Sequence, residues 1–261
     1  MPPAFPYALI ITENACPAQS LWPLILLFKM QLTLFFAPES DKIGSESFPD
    51  LPVAYIKEAS NMNEHHQQLL KITFTGLTAA LAYVAFTFLQ IKIPVGAGDQ
   101  TSIHLGNAVV VLAAQLIGGV WGGLGGAVGM TVGDLFDPIY ILSAPITFIL
   151  KFLLGLITGL VAHKIGRINT IREPKRYFKW ALFSTIAGLL FNVIVDPLLR
   201  YYYKILILGK PAAALSLSLN LFSAAVNAIV SVVAATALYM ALRPALARAG
   251  LLPKAGRPAS S

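Results

Sequence analysis

Charge is what this sequence has least of. Of its 261 residues, 12% are Asp, Glu, Lys or Arg, about half of the ~25% found in soluble domains. With 56% hydrophobic residues and a mean hydropathy of +0.71, there is too little charge to solvate a globule, which excludes a soluble fold. Cysteine is nearly absent. Cys16 alone excludes an intramolecular disulfide and any Cys-based metal cluster. No G-x-x-x-x-G-K-[ST] phosphate loop occurs, so the chain cannot itself use ATP, and neither H-E-x-x-H nor G-x-S-x-G is present to suggest a membrane protease or hydrolase. The net charge of +7 does not point to nucleic acid, because the basic residues lie between apolar runs rather than on one polar face. The chain reads as a polytopic membrane protein, not an enzyme, with no cofactor, no metal and no nucleic-acid partner expected.

The apolar runs organise it. A spanning helix needs about 20 mostly apolar residues. Residues 72–91 form one uncharged run. Residues 104–136 carry a single charge, Asp134; at 1.5 Å per residue they would reach roughly 50 Å, too long for one crossing of a ~30 Å core. Gly118-Gly119 is the natural break, giving a short second helix and a glycine-rich third. Residues 142–162, 180–199 and 211–242 supply the fourth, fifth and sixth, with Lys151 inside the fourth and Asp196-Pro197 inside the fifth. The expected fold class is therefore an all-α integral membrane protein, a six-transmembrane-helix bundle over residues 62–243 followed by a basic tail, 244–261. Lys164, Arg167, Arg172, Lys175, Arg176 and Lys179 between helices 4 and 5, with Arg243, Arg248, Lys254 and Arg257 after helix 6, outnumber Lys92, Arg200, Lys204 and Lys210 on the other side. That bias places both termini of the bundle in the cytoplasm, in a cell (plasma) membrane.

Residues 1–61 differ. Their net charge is −3, against +10 for the remainder, and their one apolar stretch, residues 21–37, is broken by Lys29. No basic residue precedes Lys29, so a signal peptide is a poor reading. Two readings stay open: an extra membrane or interfacial helix, or a disordered or upstream-translated extension with the functional start at Met62.

Ionisable residues inside a membrane are expensive and mark function by default. They cluster by depth. His104 and Asn107 open helix 2; Asp134 ends helix 3, followed by Asp137 and Tyr140; Lys151 lies near the middle of helix 4. Asn192, Asp196 and Arg200 share one face of helix 5, and Asn220, Ser223, Asn227 and Ser231 share one face of helix 6. Nearly all fall between the midplane and the outer side, describing a cup open to the outside rather than a channel lined from end to end. The loop at residues 94–100 is glycine-rich enough to close over it. Plainer roles exist for each: Asp196 and Arg200 as a helix-end ion pair, His104 and Asp137 in the headgroup region, Asn227 as interhelical packing. Lys151 is the hardest to explain that way, since a mid-helix ammonium needs a carboxylate or a ligand, and Asp134 and Asp196 are at hand. Gly118, Gly122 and Gly126 form one small-residue ridge on helix 3, and Gly125, Gly129 and Gly133 a second, so that helix should approach neighbours on two sides.

The segments His104-Leu105-Gly106-Asn107, the glycine ladder into Gly133-Asp134, and Ala144-Pro145-Ile146-Thr147-Phe148-Ile149-Leu150-Lys151, in that order within a six-helix frame, resemble the S components of energy-coupling factor (ECF) vitamin transporters. The resemblance runs from about Met62 to Arg243. It implies a substrate-capturing membrane subunit of an ATP-driven importer, serving a water-soluble vitamin of the riboflavin, pyridoxine or hydroxymethylpyrimidine, pantothenate or folate class. It implies as partners an ECF transmembrane coupling subunit and two ATPase subunits. The substrate would meet His104, Asn107, Asp134, Tyr140, Lys151, Asn192, Asp196, Asn220 and Asn227. The small residues Gly76, Ala79, Ala80 and Ala82 of helix 1 look like the family's docking surface. Asn107 stands where many relatives carry Asp.

Two rival classes remain to be set against this. A secondary transporter would normally show internal repeats, and no half-to-half symmetry is visible. A lipid-modifying membrane enzyme would need several carboxylates presented together for Mg²⁺, and Asp134 with Asp137 is the only close pair.

Overall fold

Six α-helices and one short β-hairpin make up the computed structural model, which describes residues 53–96, 99–209 and 213–249. In chain order they are α1 (Val53–Thr87), β1 (Gln90–Gly96), β2 (Asp99–His104), α2 (Gly106–Ile117), α3 (Gly119–Leu135), α4 (Ala144–Gly159), α5 (Pro174–Leu206) and α6 (Ala213–Arg248). The apolar stretch at 21–37 and the tail beyond 249 lie outside the described residues. The boundary at Met62 falls inside α1, which begins nine residues earlier, and α6 runs past the expected start of the tail at 244.

Four helical segments among the described residues are long and apolar enough to cross a membrane: Gln68–Thr87, Ile141–Ile165, Pro174–Leu206 and Leu217–Arg248. The second is a composite, with a 3-10 turn (Ile141–Ser143) leading into α4 and a π-helical turn (Leu160–Ile165) leading out of it. The remaining two helices are shorter, 12 residues in α2 and 17 in α3. They are separated where expected, at Gly118, whose φ of +99° is a conformation that side-chain-bearing residues rarely adopt. That one residue lets α3 turn back along α2.

Two expectations need correction. Helix 1 ends at Thr87 rather than 91, and helix 2 begins at Gly106 rather than His104. Between them the described residues pair as an antiparallel hairpin, with Ile91 paired to Ile103 and Gln90 to His104, so residues 94–96 and 99–100 of the expected loop are strand. The hairpin's cue is a period of two: Ile91, Ile93 and Val95 alternate with Gln90, Lys92 and Pro94. A two-stranded ribbon is marginal alone and is held here by α6.

The bundle is apolar outside as well as in. Leu190, Ile194, Ile229 and Val233 are all more than half exposed, as a lipid-facing surface requires. The main core cluster draws on every helix: Ala82 and Phe86, Val110 and Val111, Met130, Leu154, Leu189, and Ala235. Close packing around α3 goes further than two ridges. A Cβ on Gly125 would lie 2.6 Å from the Thr75 carbonyl oxygen of α1, and one on Gly126 would strike Val110 of α2. A third ridge, Gly119 and Gly123, interlocks with Gly155 and Gly159 of α4. Glycine on both sides brings the two backbones into contact, the close approach that membrane helices exploit.

At the end of the bundle away from the hairpin, Tyr177, Tyr239, Ala162, Ile168 and Ala181 form a second cluster. Arg243 lies 3.8 Å above the Tyr177 ring and donates to the carbonyls of Ile168 and Ile171, fastening the α4–α5 connection to the end of α6.

Candidate functional site

One cavity gathers every substrate residue expected from the sequence. His104, Asn107, Asp134, Tyr140, Lys151, Asn192, Asp196, Asn220 and Asn227 all line it. They come from β2, α2, α3, the α3–α4 connection, α4, α5 and α6. Phe86 and Met130 supply apolar wall, and Gln100, Thr101 and Ser102 of the hairpin cover it.

Its charged wall is built by α4 and α5. Lys151 is buried and donates to Asp196 at 2.6 Å and to Asn192 at 3.0 Å. Asp196, rather than Asp134, is therefore the carboxylate that Lys151 meets. The other oxygen of Asp196 accepts from Arg200 one helical turn on, and Arg200 also donates to Thr147 at 2.9 Å. The spacing of four along α5 aligns Asn192, Asp196 and Arg200 toward α4. Taking such ions out of water is tolerable only where each charge is paired and bonded, and Asp196 is bonded from both sides.

Asn227 has a structural part. Its carbonyl accepts the His104 N–H at 2.7 Å and its amide donates to the Ser102 carbonyl at 3.0 Å. Ser223 donates to the same carbonyl at 2.8 Å. The amide's two ends are thus committed to the hairpin. On the opposite flank Lys92 of β1 pairs with Asp137. Burial raises the Asp137 carboxyl, but bonds from Lys92 and from the Ile139 amide outweigh it and hold the group below its usual range. The imidazole of His104 sits edge-on to Phe86 at 4.9 Å. Burial raises the Tyr140 phenol, which stays protonated.

Several buried polar atoms of this lining have no partner among the described residues: Nε2 of Gln100, Nδ1 of His104, Oδ1 of Asn107, Oδ2 of Asp134 and Oη of Tyr140. A buried group left unbonded costs about 1–3 kcal/mol, and five around one cavity leave donors and acceptors open to a polar guest.

The sequence reading paired Arg200 with Asp196, as the structure does, but left it out of the substrate set, and it missed Lys204, Thr147, Thr101 and Ser102. Arg200 had a signal, the continued spacing of four on α5; Thr147 lay inside the segment 144–151 without one of its own. Of the helix 1 docking residues, Ala80 is exposed and Gly76 has open space beside it. Ala82 is fully buried in the core, and Ala79 presses its backbone on Gly129. Those two are corrections: a turn of 100° per residue places them on the inward side of α1. Among the described residues no group of His, Cys, Asp or Glu is arranged to hold a metal.

A protein-family model described as "ECF-type riboflavin transporter, S component" matches residues 66–244, which contain the hairpin, α2 to α5 and most of α1 and α6. No match was found among curated proteins or among solved structures.

Proposed function

Since the chain belongs to the family of ECF-type riboflavin transporter S components, a family of transporter subunits and not of enzymes, we propose that it captures riboflavin from outside the cell and delivers it to an ATP-driven module. The observation that carries this reading is the polar cavity under the hairpin at one end of an apolar bundle, with five buried polar atoms left unpartnered. A heteroaromatic vitamin with amide, imide and hydroxyl groups matches that mixture of donors and acceptors, and the apolar walls at Phe86 and Met130 suit a flat ring.

In this mechanism the hairpin lies over the loaded cavity, and the protein has no phosphate loop with which to use ATP. A transmembrane coupling subunit and two ATPase subunits supply the work, docking on the outward Gly76–Ala80 side of α1. All six helices cross the membrane, the short α2 together with the hairpin filling one crossing, with both ends of the bundle in the cytoplasm.

Quenching of riboflavin fluorescence by the purified protein tests ligand capture. The expected result is saturable quenching that pyridoxine, hydroxymethylpyrimidine, pantothenate and folate do not displace. Displacement by one of these would reassign the vitamin. Uptake into vesicles should require the coupling and ATPase subunits and ATP, and should survive collapse of the ion gradients. Uptake by the chain alone, abolished by ionophores, would establish a secondary transporter instead.

A further inference from the structure

A second cavity lies at the end of the bundle away from the hairpin, where α4 hands over to α5. Arg167, Arg172 and Arg176 line it together with Glu173, and Gly166, Ile165 and Trp180 form its inner side. No ion pair among the described residues includes any of these three arginines, although each is a fork built for bidentate pairing with an oxyanion. One carboxylate against three guanidiniums leaves the cavity strongly positive. The N-terminus of the 33-residue α5, which begins at Pro174 beside it, adds to that potential.

The apolar side of the cavity connects with the lipid-facing surface. The Trp180 indole lies against the backbone of Gly166, where a Cβ would come within 2.6 Å of the ring. Trp180 meets Phe183 edge-on at 5.8 Å, and Phe183 and Ile165 are both more than half exposed. Tryptophan at such a boundary marks the level of the headgroups. Arginines above, indole at the boundary and aliphatic surface below make one continuous site with the polarity profile of a phospholipid.

We propose that this cavity binds the phosphodiester head group of an anionic phospholipid in the leaflet facing the α4–α5 connection. Arg167, Arg172 and Arg176 hold the phosphate, while the acyl chains run down past Trp180 and Phe183. Basic pockets between membrane helices recognise acidic lipids in this way. The proposal rests on membrane insertion and not on the identity of the vitamin bound at the opposite end.

The test titrates the full-length protein, in neutral detergent, with phosphatidylglycerol or phosphatidylcholine and counts retained lipids by native mass spectrometry. Phosphatidylglycerol should be retained about tenfold or more in preference to phosphatidylcholine, the preference falling as salt rises. Arg167→Gln, Arg172→Gln and Arg176→Gln combined should abolish it. Lys175→Gln with Lys179→Gln, charges nearby but outside the cavity, should leave it within about twofold. Equal retention of the two lipids, or an equal loss in the lysine control, overturns the proposal. Displacement of phosphatidylglycerol by excess inorganic phosphate would make the ligand a free anion and would overturn the lipid assignment. So would the absence of any lipid preference in the wild-type protein together with loss of coupling-module association in the triple variant, which would make the cavity a protein contact. If the triple variant aggregates, the wild-type lipid comparison and its salt series still decide, since a preference that ignores salt is not held by these arginines.

Discussion

The side-chain carbonyl of Asn227 accepts the backbone N–H of His104, and its amide returns a bond to the carbonyl of Ser102 two residues earlier. The pattern is the one a neighbouring strand would offer to the open edge of β2. A helix residue thereby imitates a peptide unit and seats the hairpin over the cavity.

Asn227→Ala should therefore loosen the cover more than the binding site. It leaves the His104 N–H without its partner, at a cost of about 1–3 kcal/mol, while Ser223 still holds Ser102. The expected outcome in stopped-flow fluorescence is riboflavin dissociation faster by about tenfold, with association little changed. Unchanged dissociation would mean that the hairpin does not retain the ligand.

The Lys151–Asp196–Arg200 cluster makes an ordered set of predictions. Lys151→Met removes one cation but leaves Asp196 paired with Arg200, so the fold should persist while affinity drops tenfold or more, about 1.4 kcal/mol. Asp196→Leu strands the buried Lys151 and the half-buried Arg200 at once and should lower the melting temperature in detergent further than Lys151→Met, since breaking a buried pair typically costs about 3–5 kcal/mol. Equal melting of the two variants would show that Asp196 does not hold the cluster.

Helix 1 separates docking from folding. Ala80→Trp places bulk on the exposed side of α1 and should abolish ATP-dependent uptake while leaving riboflavin binding to the isolated protein intact. Ala82→Trp intrudes on the core and should yield little folded protein. Wild-type uptake by Ala80→Trp would move the docking surface elsewhere.

Gly155→Ala should destabilise the bundle sharply, because the new methyl meets the Gly123 backbone rather than a movable side chain. Gly76→Ala, with nothing within 4 Å, should be neutral or slightly stabilising through helix propensity. Similar melting temperatures for the two would argue against the α3–α4 contact.

Much of this was legible in the sequence because membranes punish polar residues. A lysine in an apolar run, or polar residues at helical spacing along α5 and α6, stand out against leucine and valine, and the cavity collects most of them. The hairpin was hidden because its period-two run of six residues joins directly onto helical runs of similar apolarity. The Gly119–Gly123 ridge was hidden because its meaning depends on Gly155 and Gly159, which are distant in sequence and unremarkable alone. Ala82 and Ala80 look alike as letters and are separated only by their angular positions on α1.

The brevity of α2 sets how far a ligand has to travel. Its 12 residues extend about 18 Å at 1.5 Å per residue, roughly 12 Å less than a ~30 Å hydrocarbon core. In the orientation we propose, the missing length falls to the hairpin and the cavity, so a captured molecule would already have passed the outer headgroups before the proposed ATP-driven step. Capture itself would then cover part of the crossing, leaving the coupled step only the remaining thickness.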